Sequence, residues 1–125
     1  MRNATRRQGV VKAVLQLEGA AVCLAATLAY FLAVDGGPIL FAALILAPDL
    51  SMVSFLKSSR LGTVTYNLGH NYLLAGSVAG TGLLLDSSVT VSIGLILAAH
   101  IGMDRALSYG LKYPTGFKHT HMQRV

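Results

Sequence analysis

Four long apolar runs leave this chain few ways to fold. Ala13 to Val34 contains one charge, Glu18; Pro38 to Leu56 contains one, Asp49; Gly62 to Leu85 contains no Asp, Glu, Lys or Arg; Val89 to Leu107 contains Asp104 and Arg105 near its end. Each run is close to the ~20 residues a helix needs to cross ~30 Å of hydrocarbon. The runs are continuous, whereas the strands of a membrane barrel would alternate in segments of ~10 residues. Only 12% of the 125 residues are charged, against about 25% in soluble domains, and the length allows one domain. The expectation is an all-α, four-span antiparallel transmembrane helix bundle forming a single domain over residues 1–125, with spans at about 13–34, 38–56, 62–85 and 89–109.

The placement of charge orients the bundle. Arg2, Arg6, Arg7 and Lys12 precede the first run, Lys57 and Arg60 separate the second and third, and Lys112, Lys118 and Arg124 follow the fourth; the other two loops hold only Asp35 and Asp86. Lys and Arg concentrate in cytoplasmic loops, so both termini are expected in the cytoplasm, in a multi-pass protein of the inner (cytoplasmic) membrane. The same basic ends would meet anionic lipid head groups. A net charge of +5 distributed this way argues against nucleic acid as a partner. The first run is long, contains Glu18 and precedes three more, which reads as a retained helix rather than a cleaved signal. The lone cysteine, Cys23, excludes an intrachain disulfide and reads as a small apolar residue.

Short turns punctuate the runs. Asp35-Gly36-Gly37-Pro38 places proline at the start of the second helix. Asp86-Ser87-Ser88 closes the third helix and can cap the fourth. Connections this short make successive helices neighbours. Gly62, Gly69, Gly76 and Gly80 form a small-residue stripe that permits close backbone approach, either inside the bundle or across a homodimer seam. Tyr30 and Phe31 at one end, and Tyr109, Tyr113 and Phe117 at the other, fit interfacial aromatic belts. Gly110 and Pro114 stop the fourth helix, and the segment to His121 is expected to fold back at the cytoplasmic face.

Five ionisable side chains interrupt the apolar runs at a similar depth. From the flanking charges, Glu18 lies roughly 9 Å in, Asp49 and Asp104 roughly 12 Å, His70 roughly 15 Å and His100 roughly 18 Å, at ~1.5 Å of rise per residue. Each such group costs roughly 2.5–3.5 kcal/mol on insertion scales, which makes it a functional-site candidate. His100 and Asp104 are four apart and share a helix face. Tyr66, Asn67, His70 and Asn71 share an arc of the third helix. Pro48 is expected to kink the second helix and free a carbonyl at this depth. Gln16 and Ser51 add hydrogen-bonding capacity, and Arg105 adds a permanent cation pointing away from His100.

Four readings of this constellation are open. In one it is a helix-bonding network, with Arg105 paired to an acid. In the second His70, His100 and Asp104 are ligands of a divalent ion (Zn, Mn, Fe or Mg), with Glu18 or Asp49 as general base for hydrolysis of a lipid-like substrate. In the third, carboxylates and histidines relay protons or ions. In the fourth, His70 and His100 bracket a haem. Tyr66, Asn67 and Arg105 would complete the pocket, Arg105 holding an acid or binding an anionic head group, with Lys112 and Tyr113 at its rim. His119 and His121 could join if the tail closes over the mouth. No serine is set up as a nucleophile, and there is no phosphate-binding glycine loop.

Several of these segments are familiar together: Leu17-Glu18-Gly19, Ala47-Pro48-Asp49-Leu50-Ser51, Tyr66-Asn67-Leu68-Gly69-His70, His100-Ile101-Gly102-Met103-Asp104-Arg105, and Tyr109-Gly110-Leu111-Lys112-Tyr113-Pro114 running to His119 and His121. They resemble a bacterial family of small four-helix integral membrane proteins known as a domain of unknown function. The resemblance covers nearly the whole chain, and the last two segments are the most specific. It implies a four-helix membrane protein in which polar residues and tail act as a unit, and it implies no activity. A looser similarity of pattern, with no residue-by-residue match, is to small membrane-bound metal-dependent hydrolases.

Overall fold

The structure, a computed structural model, describes residues 2–109 and Met122, and the side chains of residues 51–55 are outside that description. All regular structure among the described residues is helical. Helix α1 (Arg2–Leu28) continues into a π-helical turn (Ala29–Ala33); α2 (Pro38–Leu44) is followed by a 3-10 segment (Ala47–Leu56); then come α3 (Ser59–Gly69), α4 (Tyr72–Leu84) and α5 (Ser88–Ala106). Two stretches are long and apolar enough to cross a membrane, Arg2–Ala33 and Ser88–Ala106.

The second and third apolar runs are each broken, where single spans over 38–56 and 62–85 were expected. Pro48 explains the first break. It has no N–H to give the carbonyl four residues back, at Leu44. The chain leaves the α-helix at Leu44 and resumes as a tighter 3-10 segment. Asn71 explains the second. Its side-chain amide donates to the carbonyls of Asn67 (2.7 Å) and Leu68 (3.0 Å), while its Oδ1 accepts from the Leu74 N–H at 2.8 Å. One side chain thus closes α3 and caps α4. Loss of an N-cap costs about 0.5–2 kcal/mol. Asn71→Ala also strips two carbonyls of a donor, so it is expected to destabilise the protein by about 2 kcal/mol. Thermal unfolding in detergent checks this.

Helix α5 is the central element. It packs against α1 on one side and α4 on another, while α3 pairs with the 3-10 segment. The contacts use glycines other than the expected stripe. A Cβ on Gly19 would lie 2.8 Å from the Gly102 carbonyl oxygen, one on Gly102 would lie 2.6 Å from the Cys23 nitrogen, and one on Gly94 would meet the Ala79 backbone. Gly69, Gly76 and Gly80 face open space, and only Gly62 of that stripe is buried. Small residues at these positions let the helix backbones approach closely.

Both ends of the bundle are tied. Tyr30 is fully buried beside the first turn and donates its hydroxyl to the Gly37 carbonyl at 2.7 Å. Its ring packs on Phe31 and Phe41, and a Cβ on Gly36 would strike it. At the far end α5 stops with Ser108 at φ 71°, two residues before Gly110. The Tyr109 and Ser108 N–H groups return to the Asp104 and Arg105 carbonyls, the bond pair of a left-handed helix stop. Gln16 donates to the Ser108 hydroxyl at 2.6 Å and pins α1 there. Met122 is fully buried. The proposed roles of Gly110, Lys112, Tyr113, Pro114, Phe117, His119 and His121 lie outside the described residues.

Candidate metal centre

Three different local devices aim four side chains at one point. Helix α5 supplies His100 and Asp104 one turn apart, with Nε2 of the first 3.2 Å from Oδ2 of the second. Helix α3 supplies His70 from its last turn, where the helix breaks. The 3-10 segment supplies Asp49, which follows Pro48 directly. The two interruptions that distinguish this fold from four plain spans are therefore also what bring His70 and Asp49 to α5.

The four atoms nearly define a coordination sphere. His70 Nε2 lies 3.1 Å from His100 Nε2, 3.2 Å from Asp49 Oδ1 and 3.7 Å from Asp104 Oδ2. His100 Nε2 lies 3.1 Å from Asp49 Oδ1. All four ligand atoms fall within 4.8 Å of one another. A tetrahedron with metal–ligand distances of ~2.0–2.1 Å has edges of about 3.3–3.4 Å. Two imidazoles on opposite sides of a haem iron would stand about 4 Å apart at similar bond lengths. The observed 3.1 Å argues against haem.

Proton counting separates the remaining readings. His70 Nδ1 lies 2.8 Å from the Tyr66 carbonyl oxygen, which can only accept, so that nitrogen carries the hydrogen and a neutral His70 turns a bare Nε2 to the cluster. The Ile45 backbone, freed by the Pro48 break, approaches the His100 ring. His100 Nδ1 is buried and makes no hydrogen bond of good geometry among the described residues. If that nitrogen carries the His100 proton, the cluster is four lone-pair donors with no hydrogen among them. If Nε2 carries it, one hydrogen faces three acceptors. Either way the cluster holds more lone pairs than hydrogens, and a divalent cation would satisfy all four groups together.

The surroundings hold the ligands in place. Tyr66 is fully buried and stacks on His70 at 3.7 Å between ring centroids, with planes 9° apart. Its carbonyl fixes the ring orientation, as partners of metal-bound histidines do. Asn67 takes part through its carbonyl, which accepts from Asn71 and from the His70 N–H. Arg105 lies with its guanidinium 4.4 Å from the centroid of the Tyr72 ring. It forms no salt bridge among the described residues, contrary to its expected pairing with an acid. Tyr72 carries a chemistry that sequence reasoning passed over, although an aromatic hydroxyl within an apolar run was a signal for it. A crevice too narrow for a water molecule runs beside the cluster between Tyr66, His70, Ile101, Asp104, Arg105 and Tyr109.

Glu18 does not join. It is exposed, and the metal-ligand group is Asp49, His70, His100 and Asp104. Its neighbour Gly19 faces α5, which turns Glu18 about 100° away around the helix. Its expected role as a general base at this site is withdrawn for that reason.

A family model described as a domain of unknown function (DUF4260) matches residues 12–125, and the chain belongs to this family. No curated protein and no solved structure matches it.

Proposed function

We propose that this member of the family is a multi-pass inner-membrane protein that holds one divalent ion between His70, His100, Asp104 and Asp49. The reaction class that fits is metal-assisted hydrolysis of a lipid-like substrate near the cytoplasmic face. The observation that carries this is the convergence of four metal-ligating atoms within 4.8 Å, with His70 already committed through Nδ1. Zinc is the best fit: imidazole and carboxylate ligands suit it and the edges approach a tetrahedron. Magnesium fits least, because it favours oxygen ligands and retains its waters.

The membrane reading draws on the same residues. Leu17 (71%), Leu32 (77%), Leu73 (81%) and Leu84 (89%) are widely exposed across helices that leave the cluster on the inside. Exposed apolar surface on this scale needs a lipid or protein cover. The cluster occupies the last two turns of α5, the end that Gln16 ties to α1, and the basic residues of α1 lie beyond Gln16, which supports a cytoplasm-facing site. A bound ion of this kind lowers the pKa of coordinated water to about 7 and polarises carbonyl or phosphoryl oxygens. The chain's own part is to fix the two imidazoles, to balance the ion with two carboxylates, and to exclude bulk water on the crevice side.

Calorimetric titration of chelator-stripped protein with zinc tests the proposal. One site per chain is expected, and no heat beyond a detergent blank would overturn it. The affinity should fall on acidification, because every imidazole that binds the ion must first lose its proton. Repeating the titration from about pH 7.5 down to about pH 5.5 checks this, and a steady fall in affinity is expected.

A further inference from the structure

We infer that Asp49 is an exchangeable fourth ligand, closing the coordination sphere at rest and leaving it to water when the site works. This rests on the metal reading above and assigns the opening of the site to one residue.

The four ligands are not held alike. The His100 side chain is 0% exposed and the His70 side chain 3%; Asp104 is 15% exposed and Asp49 36%. His100 and Asp104 share the same stretch of α5, wedged between α1 and α4. His70 is held by its Nδ1 bond and by the Tyr66 ring. Asp49 has neither kind of support. It follows a proline in a 3-10 segment, where hydrogen-bond geometry is poorer than in an α-helix. Among the described residues its side-chain contacts are the two histidine nitrogens. A carboxylate held chiefly by the ion is the one that can let go.

What remains after it leaves is a recognised chemical unit. His70 Nε2, His100 Nε2 and Asp104 Oδ2 form a two-histidine, one-carboxylate set with a vacant fourth position, the pattern of catalytic rather than structural zinc. The exchange balances simply. The Asp49 oxygen–metal bond breaks, a water oxygen–metal bond forms, and one proton of that water passes to the released Asp49 carboxylate. Asp49 is then a protonated acid beside a metal-bound hydroxide, able to return the proton to a leaving group. Asp49 is the most exposed of the four side chains, whereas the crevice at Tyr66 and Tyr109 admits no water, so water and substrate are expected to reach the site from the Asp49 side.

Cobalt in place of zinc makes the exchange visible, because its d–d absorption reports coordination. Full-length protein in detergent is loaded with cobalt as wild type, Asp49→Ala and Asp104→Ala, and azide is then added. Asp49→Ala is expected to keep cobalt with a loss no greater than the ~10–100-fold of an outer-shell change, and azide should shift its bands. Asp104→Ala should lose cobalt altogether. Equal loss in both variants, or an Asp49→Ala spectrum indifferent to azide, overturns the inference while leaving a four-ligand structural ion standing. Cobalt that fails to bind wild type overturns the metal reading and this inference with it. If Asp49→Ala does not fold by circular dichroism, Asp49→Asn, of nearly the same shape, is read by the same criteria.

Discussion

Alanine at position 100 is expected to abolish zinc binding and with it all metal-dependent stability. His100 is fully buried, and its Nε2 is within 3.2 Å of His70, Asp49 and Asp104. No other ligand makes three contacts this short, so its removal takes away the centre of the group. An ion that binds only the native state stabilises it by about 4 kcal/mol when free ion exceeds Kd a thousandfold. Wild type should gain that amount on adding zinc, and His100→Ala should gain nothing. The variant should also start lower, by roughly 2–3 kcal/mol, since it leaves a cavity and exposes two carboxylates to each other without a cation. Thermal unfolding of both proteins, with zinc and with chelator, separates the two losses. An equal zinc-induced gain in both proteins would contradict the assignment.

The second large effect is expected at Gly102, which touches no ligand. A Cβ there would sit 2.6 Å from the Cys23 nitrogen and 3.1 Å from its Cα, and would also meet the Gly19 carbonyl. These are backbone atoms, so the clash is relieved only by moving α1 and α5 apart. Overpacking of this kind costs typically about 1–3 kcal/mol. Gly102 lies between His100 and Asp104 on α5, and any shift of that helix displaces two ligands at once. Gly102→Ala is therefore expected to lower both stability and zinc affinity. Gly76→Ala, where a Cβ would have nothing within 4 Å, should leave zinc affinity unchanged and should not lower stability, with a gain of up to about 1 kcal/mol. Unfolding midpoints and zinc titrations of the pair check this, and a harmless Gly102→Ala would contradict the close α1–α5 contact.

Much of this site was legible before any coordinates. Counting helical rise from flanking charges put Asp49, His70, His100 and Asp104 in one layer, and those four converge. The same count placed Glu18 there too, and it failed because depth says nothing about direction around a helix. Direction is set by which face packs, and the α1–α5 face is marked by Gly19 meeting Gly102, a pairing that a single sequence does not display. The seam had a local sign: Gly94, Ala98, Gly102 and Ala106 place a small residue at every fourth position of α5. Their slow drift around the helix carries the stripe from the α4 side at Gly94 to the α1 side at Gly102. The more regular Gly62, Gly69 and Gly76 spacing drew attention away from it.

The breaks in the second and third runs were half legible. Pro48 announced a disturbance, but a kink and a change to 3-10 geometry begin from the same missing hydrogen bond. Asn71 gave less warning. An asparagine amid apolar residues serves equally as an interhelical donor or as a cap, and only its bonds to Asn67, Leu68 and Leu74 decide between them.

The most direct test of the account is the metal content of wild-type protein purified in detergent without added metal, determined by elemental analysis. One divalent ion per chain, with zinc the expected element, is the predicted result. Protein that is folded, helical and free of every transition metal, and stays so after incubation with zinc, would contradict it. The four converging side chains would then be a proton-sharing network and not a metal centre.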